Sequence, residues 1–351
     1  MAEGKNQHYV PQRYFRMFSS DGSSIRTLRI SDGKIIPTAS IKGQSSKSWF
    51  YGDADIEKKL SQVESLAGNS LHEVANCSSV SELSIETMTY FRIWLALQRT
   101  RTAASRATCA ESDTSMIRLM AEVGINRNEE LSEEERKNLI SALPQLHAKD
   151  DVLQLQRMMI ATRHSGYLSD LELLIVRNKS NKPFVFSDAP CVYYNLLQHH
   201  VHERGVLGMQ SLGLMIIFPL NEKTLAILYD GLSYKVRKPA SGIRSINTAS
   251  DVNSLNTLQL HSASNCIYYS NSADDEYLKF LLSSQKGKFV SKKNIVKESE
   301  LRENSDGTAS SILMTYEPQI SYKLNLSFLS PKIINYPSWI ITRDEYQDFT
   351  M

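Results

Sequence analysis

Leu214-Met215-Ile216-Ile217-Phe218, followed closely by Leu225-Ala226-Ile227-Leu228-Tyr229, is the passage on which the fold turns. These are short branched and aromatic runs closed off by Gly213, Pro219, Asn221 and Asp230, which is strand chemistry with turn chemistry around it. Residues 171–176, 184–186 and Cys266–Tyr269 repeat the pattern, so the C-terminal half is expected to carry a mostly antiparallel sheet. Within 250–264, Val252, Leu255 and Leu258 recur at helical spacing, and 274–283 reads as a further helix.

Toward the N-terminus the pattern becomes helical. Ile56, Leu60, Val63, Ala67, Leu71 and Val74 recur at steps of three and four, and a second helix is expected over about 84–106. From about 107 to 163 come further helical segments, interrupted by Gly124-Ile125-Asn126 and Pro144 and carrying an acidic run at 129–135, which together read as an insertion. Ser31-Asp32-Gly33-Lys34 suits the turn of a hairpin over 25–37. Residues 285–307 are polar and rich in Lys and Glu, as in a linker, and stretches at 320–328 and 339–342 suit edge strands. The sum is α+β, a helical N-terminal half packed on a mostly antiparallel C-terminal sheet. The expected organisation is one domain over 1–284 and a polar linker with a C-terminal extension over 285–351.

Composition narrows the function classes. The 351 residues, 41% hydrophobic and 22% charged, suit a globular chain with a substantial core. Forty Lys and Arg against 38 Asp and Glu leave a net charge of +2, so nucleic acid binding would need a local patch. Cys77, Cys109, Cys191 and Cys266 lie far apart without a CxxC pair, which fits free thiols in a cytoplasmic protein and argues against a cysteine-held metal. No apolar window reaches eighteen residues, so no membrane association is expected. Neither a GxxxxGK[ST] loop, a GxGxxG turn, a GxSxG elbow nor an HExxH helix occurs, and no cofactor is expected.

Three stretches concentrate chemistry. Asn6-Gln7-His8-Tyr9-Val10-Pro11-Gln12-Arg13-Tyr14-Phe15 packs titratable, amide and aromatic groups into an end that is normally bland. In Gln98-Arg99-Thr100-Arg101-Thr102, Gln98 occupies a place where the stripe of Met88, Phe91 and Leu95 calls for an apolar residue, and a buried amide needs partners. Arg99 and Arg101 beside it suit an anion, or alternatively a polar helix end. Phe184-Val185-Phe186-Ser187-Asp188-Ala189-Pro190, leading to Tyr193-Tyr194-Asn195, sets Asp188 at the end of a strand, where it serves a site or stops its own turn. Glu57 and Glu64 share one helix face, and Glu64 reads either as an acid or base or as an arginine's partner. His200 and His202 in His199-His200-Val201-His202-Glu203 share a face of an extended segment, but no remote third ligand accompanies them, and no metal is expected.

The opening run, the glutamine-arginine helix, the Ser-Asp-x-Pro motif (with Ala189 where Asn is frequent), Pro219-Leu220, and Asn256 with Gln259 together resemble domain-of-unknown-function family 4238 over residues 6 to about 283. The resemblance implies no reaction. From the residues, His8, Glu64 and Asp188 are the candidate catalytic set, with Gln12, Gln98, Arg99, Arg101 and Asn195 as candidate substrate ligands. A histidine, a second acid or base and a cation suffice for metal-independent RNA cleavage, so a nuclease-like hydrolase or a toxin or defence effector is one expectation. The other is a non-catalytic sensor or binding module for a nucleotide or protein partner, in which the same groups form a buried network. A half-open His8 bonded to Glu64 or Asp188 favours the enzyme, and a dry His8 bonded only to backbone favours the module.

Overall fold

In the computed structural model, which describes residues 6–289, 292–303, 309–332, 334–336 and 339–350, the two decisive runs are the centre of a five-stranded sheet. Its order is Ile243–Ile246, Glu172–Asn178, Thr224–Tyr229, Met215–Asn221 and Val192–Tyr194, with only the first pair parallel. Alternation along each strand divides the side chains between two cores. Leu173, Ile175, Ile216, Phe218, Ala226 and Leu228 face one core, while Leu174, Val176, Met215, Ile217, Leu225 and Ile227 face the other. Both faces are covered, which is why these antiparallel strands read as unbroken apolar runs.

The first face is covered by the helices Ala54–Asn76 and Ile85–Thr100, through Ala67, Leu71, Val74, Phe91 and Leu95. Each helix starts where the sequence offers a cap: Asp53 accepts from the Asp55 N–H and Ser84 from the Thr87 N–H. The expected single helix over 84–106 is two. The Thr102 hydroxyl accepts from the Ser105 N–H at 3.1 Å and starts a new helix, Ala103–Arg127, an interruption that hydrophobic periodicity does not register. That helix runs through Gly124, and Glu133–Ala142 and Asp150–Arg163 follow it.

The second face is covered by the helix Ala249–Ser262 and by Leu324, Leu326, Phe328 and Leu329 near the C-terminus. Residues 320–328 therefore contribute core side chains, and among the described residues the strand there is Leu329–Pro331, paired with Tyr234–Val236. The stretch expected to be a polar linker contains Ile295–Glu303, which pairs antiparallel with Ala309–Tyr316.

A four-stranded antiparallel sheet, in the order Ile35–Ser40, Ser24–Arg29, Cys266–Tyr269 and Phe186–Ser187, stands beside the first. Phe186–Ser187 belongs to one sheet and Val192–Tyr194 to the other, so the Asp188-Ala189-Pro190-Cys191 turn carries the chain between them. Backbone near this crossing lacks strand partners, and polar side chains of the Ala249–Ser262 helix supply them. Asn256 Oδ1 accepts from the Val185 N–H, Gln259 Oε1 from the Ser187 N–H, and Gln259 Nε2 donates to the Pro190 carbonyl. Tyr14 and Phe15 of the opening run lie among Phe186, Phe218 and Tyr268, and the Tyr14 hydroxyl donates to the Pro219 carbonyl at 2.5 Å, beside a bulge in its strand.

Candidate functional site

Helix geometry separates the two arginines. Residues two apart on a helix do not face each other, and Arg99 and Arg101 serve different surroundings. Arg101, 1% exposed, closes over the opening run: its Nη2 donates to the His8 carbonyl at 2.7 Å, its Nη1 to Glu64 Oε1 at 2.6 Å, and its Nε to the Tyr51 hydroxyl at 3.2 Å. Gln98 lies one turn away and donates to the Tyr9 carbonyl at 3.0 Å. Gln7 bonds backbone at both ends of its amide, to the Asp53 carbonyl and the Tyr51 N–H. The polar density of the opening run is thus spent on satisfying an extended terminus buried against helices.

His8 is 7% exposed, and its Nε2 lies 3.1 Å from the Lys42 carbonyl. A carbonyl only accepts, so Nε2 carries the proton. Among the described residues the ring bonds to no carboxylate. Burial pushes its pKa below 6.5, against smaller pulls from the Lys42 bond and Glu64, so the ring is neutral. Burial also pushes the neighbouring Glu57 carboxyl up, and its Oε2 has no partner among the described residues.

Asp188 is fully committed as a clasp. Oδ1 accepts from the Ser264 N–H at 2.8 Å, and Oδ2 from the Asn265 N–H at 2.9 Å and the Asn265 side chain at 3.2 Å. Burial pushes its carboxyl up and these donors pull it back. Asn195 likewise holds a loop, donating to the Val206 and Leu212 carbonyls and accepting from the Gln198 N–H. Gln12 is half-buried and accepts from Arg16. The structure therefore joins His8, Glu64 and Arg101 in one network, and leaves Asp188, Asn195 and Gln12 each in separate surroundings.

Arg99 faces a cavity of about 60 Å³ at the crossing between the sheets, together with Gln98, Tyr193, His261, Lys292 and Glu317. Its guanidinium pairs with the Glu317 carboxylate and lies 5.1 Å from the centre of the Tyr193 ring. Burial works against its charge, but Glu317 more than restores it. Lys292 Nζ donates to the Ala263 carbonyl at 2.5 Å. Burial lowers its pKa to about 8, with Asp188 and Glu317 opposing the shift. Two buried polar atoms of the lining, Gln98 Oε1 and the Tyr193 hydroxyl, have no hydrogen-bond partner among the described residues. His261 stacks on Tyr322 at 5.5 Å and lies 4.9 Å from Phe289, forming an aromatic edge.

The cavity offers two cations and a hydroxyl donor, a set that holds an oxyanion, and beside them an amide oxygen that accepts from a ligand N–H or O–H. It offers no activated thiol, because burial pushes Cys191 up to about 12. His200 and His202 are exposed, and among the described residues no group of three His, Cys, Asp or Glu side chains is placed to hold a metal. No described helix is long and apolar enough to cross a membrane. Lys292 sat in a segment that reads as a solvated tail, and Glu317 carried no sequence signal, because its partner lies 218 residues away.

A family model described as a protein of unknown function, DUF4238, matches residues 6–273. No curated protein and no solved structure matches the chain.

Proposed function

The chain belongs to the DUF4238 family, and we propose that it is a binding module that holds the phosphate of a nucleotide in the Arg99–Lys292 cavity, with no catalytic step. The observation that carries this reading is the orphaned Tyr193 hydroxyl, a donor in the cavity that Arg99 and Lys292 also line, while Gln98 Oε1, orphaned beside it, only accepts and would take an N–H or O–H of the base or ribose. An unpaired buried polar group costs about 1–3 kcal/mol, a cost a ligand would remove. The volume admits about five waters, or one phosphoryl group. Stacked His261 and Tyr322, with Phe289 beside them, give a base a surface at the cavity's edge.

A dry, neutral His8 bonded to backbone supports this module over the RNA-cleaving hydrolase, whose general acid or base would need access to substrate. The test is calorimetry of AMP and ATP against the protein and Arg99→Gln, beside incubation with end-labelled RNA of the protein and His8→Ala. Saturable nucleotide binding lost in Arg99→Gln, with intact RNA, is the expected result. RNA cleavage that disappears in a folded His8→Ala protein would establish the hydrolase instead.

A further inference from the structure

The cavity has two sources in the chain. Gln98, Arg99, Tyr193 and His261 come from within the family match, which ends at residue 273. Lys292 and Glu317 come from beyond it. The covering segment is held at several points: the Asn294 N–H donates to the Thr108 carbonyl, Gln319 Nε2 to the Gln198 carbonyl at 3.1 Å, and the Asn195 N–H to Gln319 Oε1 at 3.2 Å. Past it, the Tyr194 hydroxyl donates to the Tyr322 carbonyl and accepts from the Leu324 N–H, and Leu324, Leu326 and Phe328 enter the core. On its other side the helix Asp275–Ser284 is anchored by Tyr277, Leu278 and Leu281. Core anchors therefore flank a stretch that meets the cavity through Lys292, Glu317 and Gln319, with Pro318 and Ile320 beside them. Raising residues 317–319 would break the Arg99–Glu317 ion pair and the Gln319 hydrogen bonds while Ile320 and Tyr322 keep their packing on the core.

Glu317 brings an anionic oxygen pair to Arg99, the one arginine among the described residues of the lining. This is the chemistry proposed for the ligand, supplied from within the chain. We propose that Glu317 is a built-in surrogate for the ligand phosphate, and that residues 317–319 are an autoinhibitory strap which a nucleotide displaces while Lys292 and Tyr322 stay in the site. The inference rests on the anion-binding reading of the cavity. The strap also reconciles a cavity of about 60 Å³ with a ligand larger than one phosphoryl group. With Glu317 seated, its charge offsets that of Arg99, and an incoming phosphate meets a carboxylate. With Glu317 withdrawn, Arg99 and Lys292 both become available to it, and the aromatic edge at His261 opens to the base.

Two measurements on the full chain separate the strap from the ligand. The first is calorimetry of ATP and inorganic phosphate with the protein, Glu317→Gln and Glu317→Ala, each checked by melting temperature. Removal of an internal competitor should tighten ATP binding about tenfold or more, and unchanged or weaker binding in both variants would overturn the surrogate while leaving the nucleotide site standing. The second needs no ligand: N-ethylmaleimide labelling of Cys109 and Cys191, read by peptide mass spectrometry with Cys77 as the internal reference. Cys109 and Cys191 line the cavity, and Asn294 Nδ2 lies 3.7 Å from the Cys109 sulfur. Labelling of both should quicken several-fold in Glu317→Gln relative to Cys77. Unchanged labelling would overturn the latch. Absent ATP binding in all three proteins with quickened labelling would refute the nucleotide reading and retain a strap.

Discussion

Replacing Tyr193 by Phe deletes one atom, and the structure gives the sign of its effect. The hydroxyl lies on a residue only 4% exposed and has no partner among the described residues, so the folded protein carries its desolvation without compensation. Losing it should stabilise the fold by about 1–3 kcal/mol. The ring, its packing and most of its contact with the Arg99 guanidinium at 5.1 Å remain. An unfolding entropy of about 2.1 cal/mol/K per residue gives roughly 0.7 kcal/mol/K for a chain of this length, so the melting temperature should rise by about 1.5–4 °C. Differential scanning calorimetry on the unliganded proteins reads the stability, and ATP calorimetry reads the binding. The expected pattern is opposite in sign for the two: a more stable protein that binds nucleotide several-fold less well. A lower melting temperature in Tyr193→Phe would refute the reasoning, because it would mean that the hydroxyl is bonded in the unliganded fold.

Asp188→Asn should lower stability by about 2–4 kcal/mol, because one amide oxygen cannot serve the Ser264 and Asn265 N–H groups that now share a carboxylate; urea unfolding checks this, and an unchanged midpoint would contradict the clasp. Lowered by burial, the His8 pKa makes the unfolded chain take up a proton first as pH falls through 6.5, so stability should decline from there downward until the folded ring also titrates. In His8→Gln that decline should be shallower, with His199 and His261, also lowered by burial, supplying the rest; equal slopes would show that His8 is solvated. Nucleotide affinity should fall as pH rises through about 8, where Lys292 loses its proton, and Lys292→Met should flatten that profile.

Much of the architecture was legible because it is local. The runs at 214–218 and 225–229 marked strands through residue type, and the stripe from Ile56 to Val74 marked a helix through spacing. The break at Arg101 was not, because it depends on one Thr102 hydroxyl turning back on a backbone N–H while the apolar period continues. For the site, the sequence identified Gln98, Arg99 and Arg101 as a unit, but their division follows from helix rotation and from what the chain later brings to each face. Arg101 meets the opening run and Glu64, whereas Arg99 meets Glu317. The latter pairing spans the whole fold, and no property of either short stretch announces it. Asp188 was found by its motif, but its clasp on the 264–265 backbone was not legible for a related reason: most of its donors are backbone N–H groups, which every sequence contains.

The most direct measurement is a crystal structure grown with ATP. Density for a phosphate within hydrogen-bond distance of Arg99, Lys292 or Tyr193, with the Glu317 carboxylate moved off the guanidinium, is the expected result. A structure at saturating ATP in which Glu317 still pairs with Arg99 and the cavity holds only water, or in which nucleotide binds elsewhere, would contradict it.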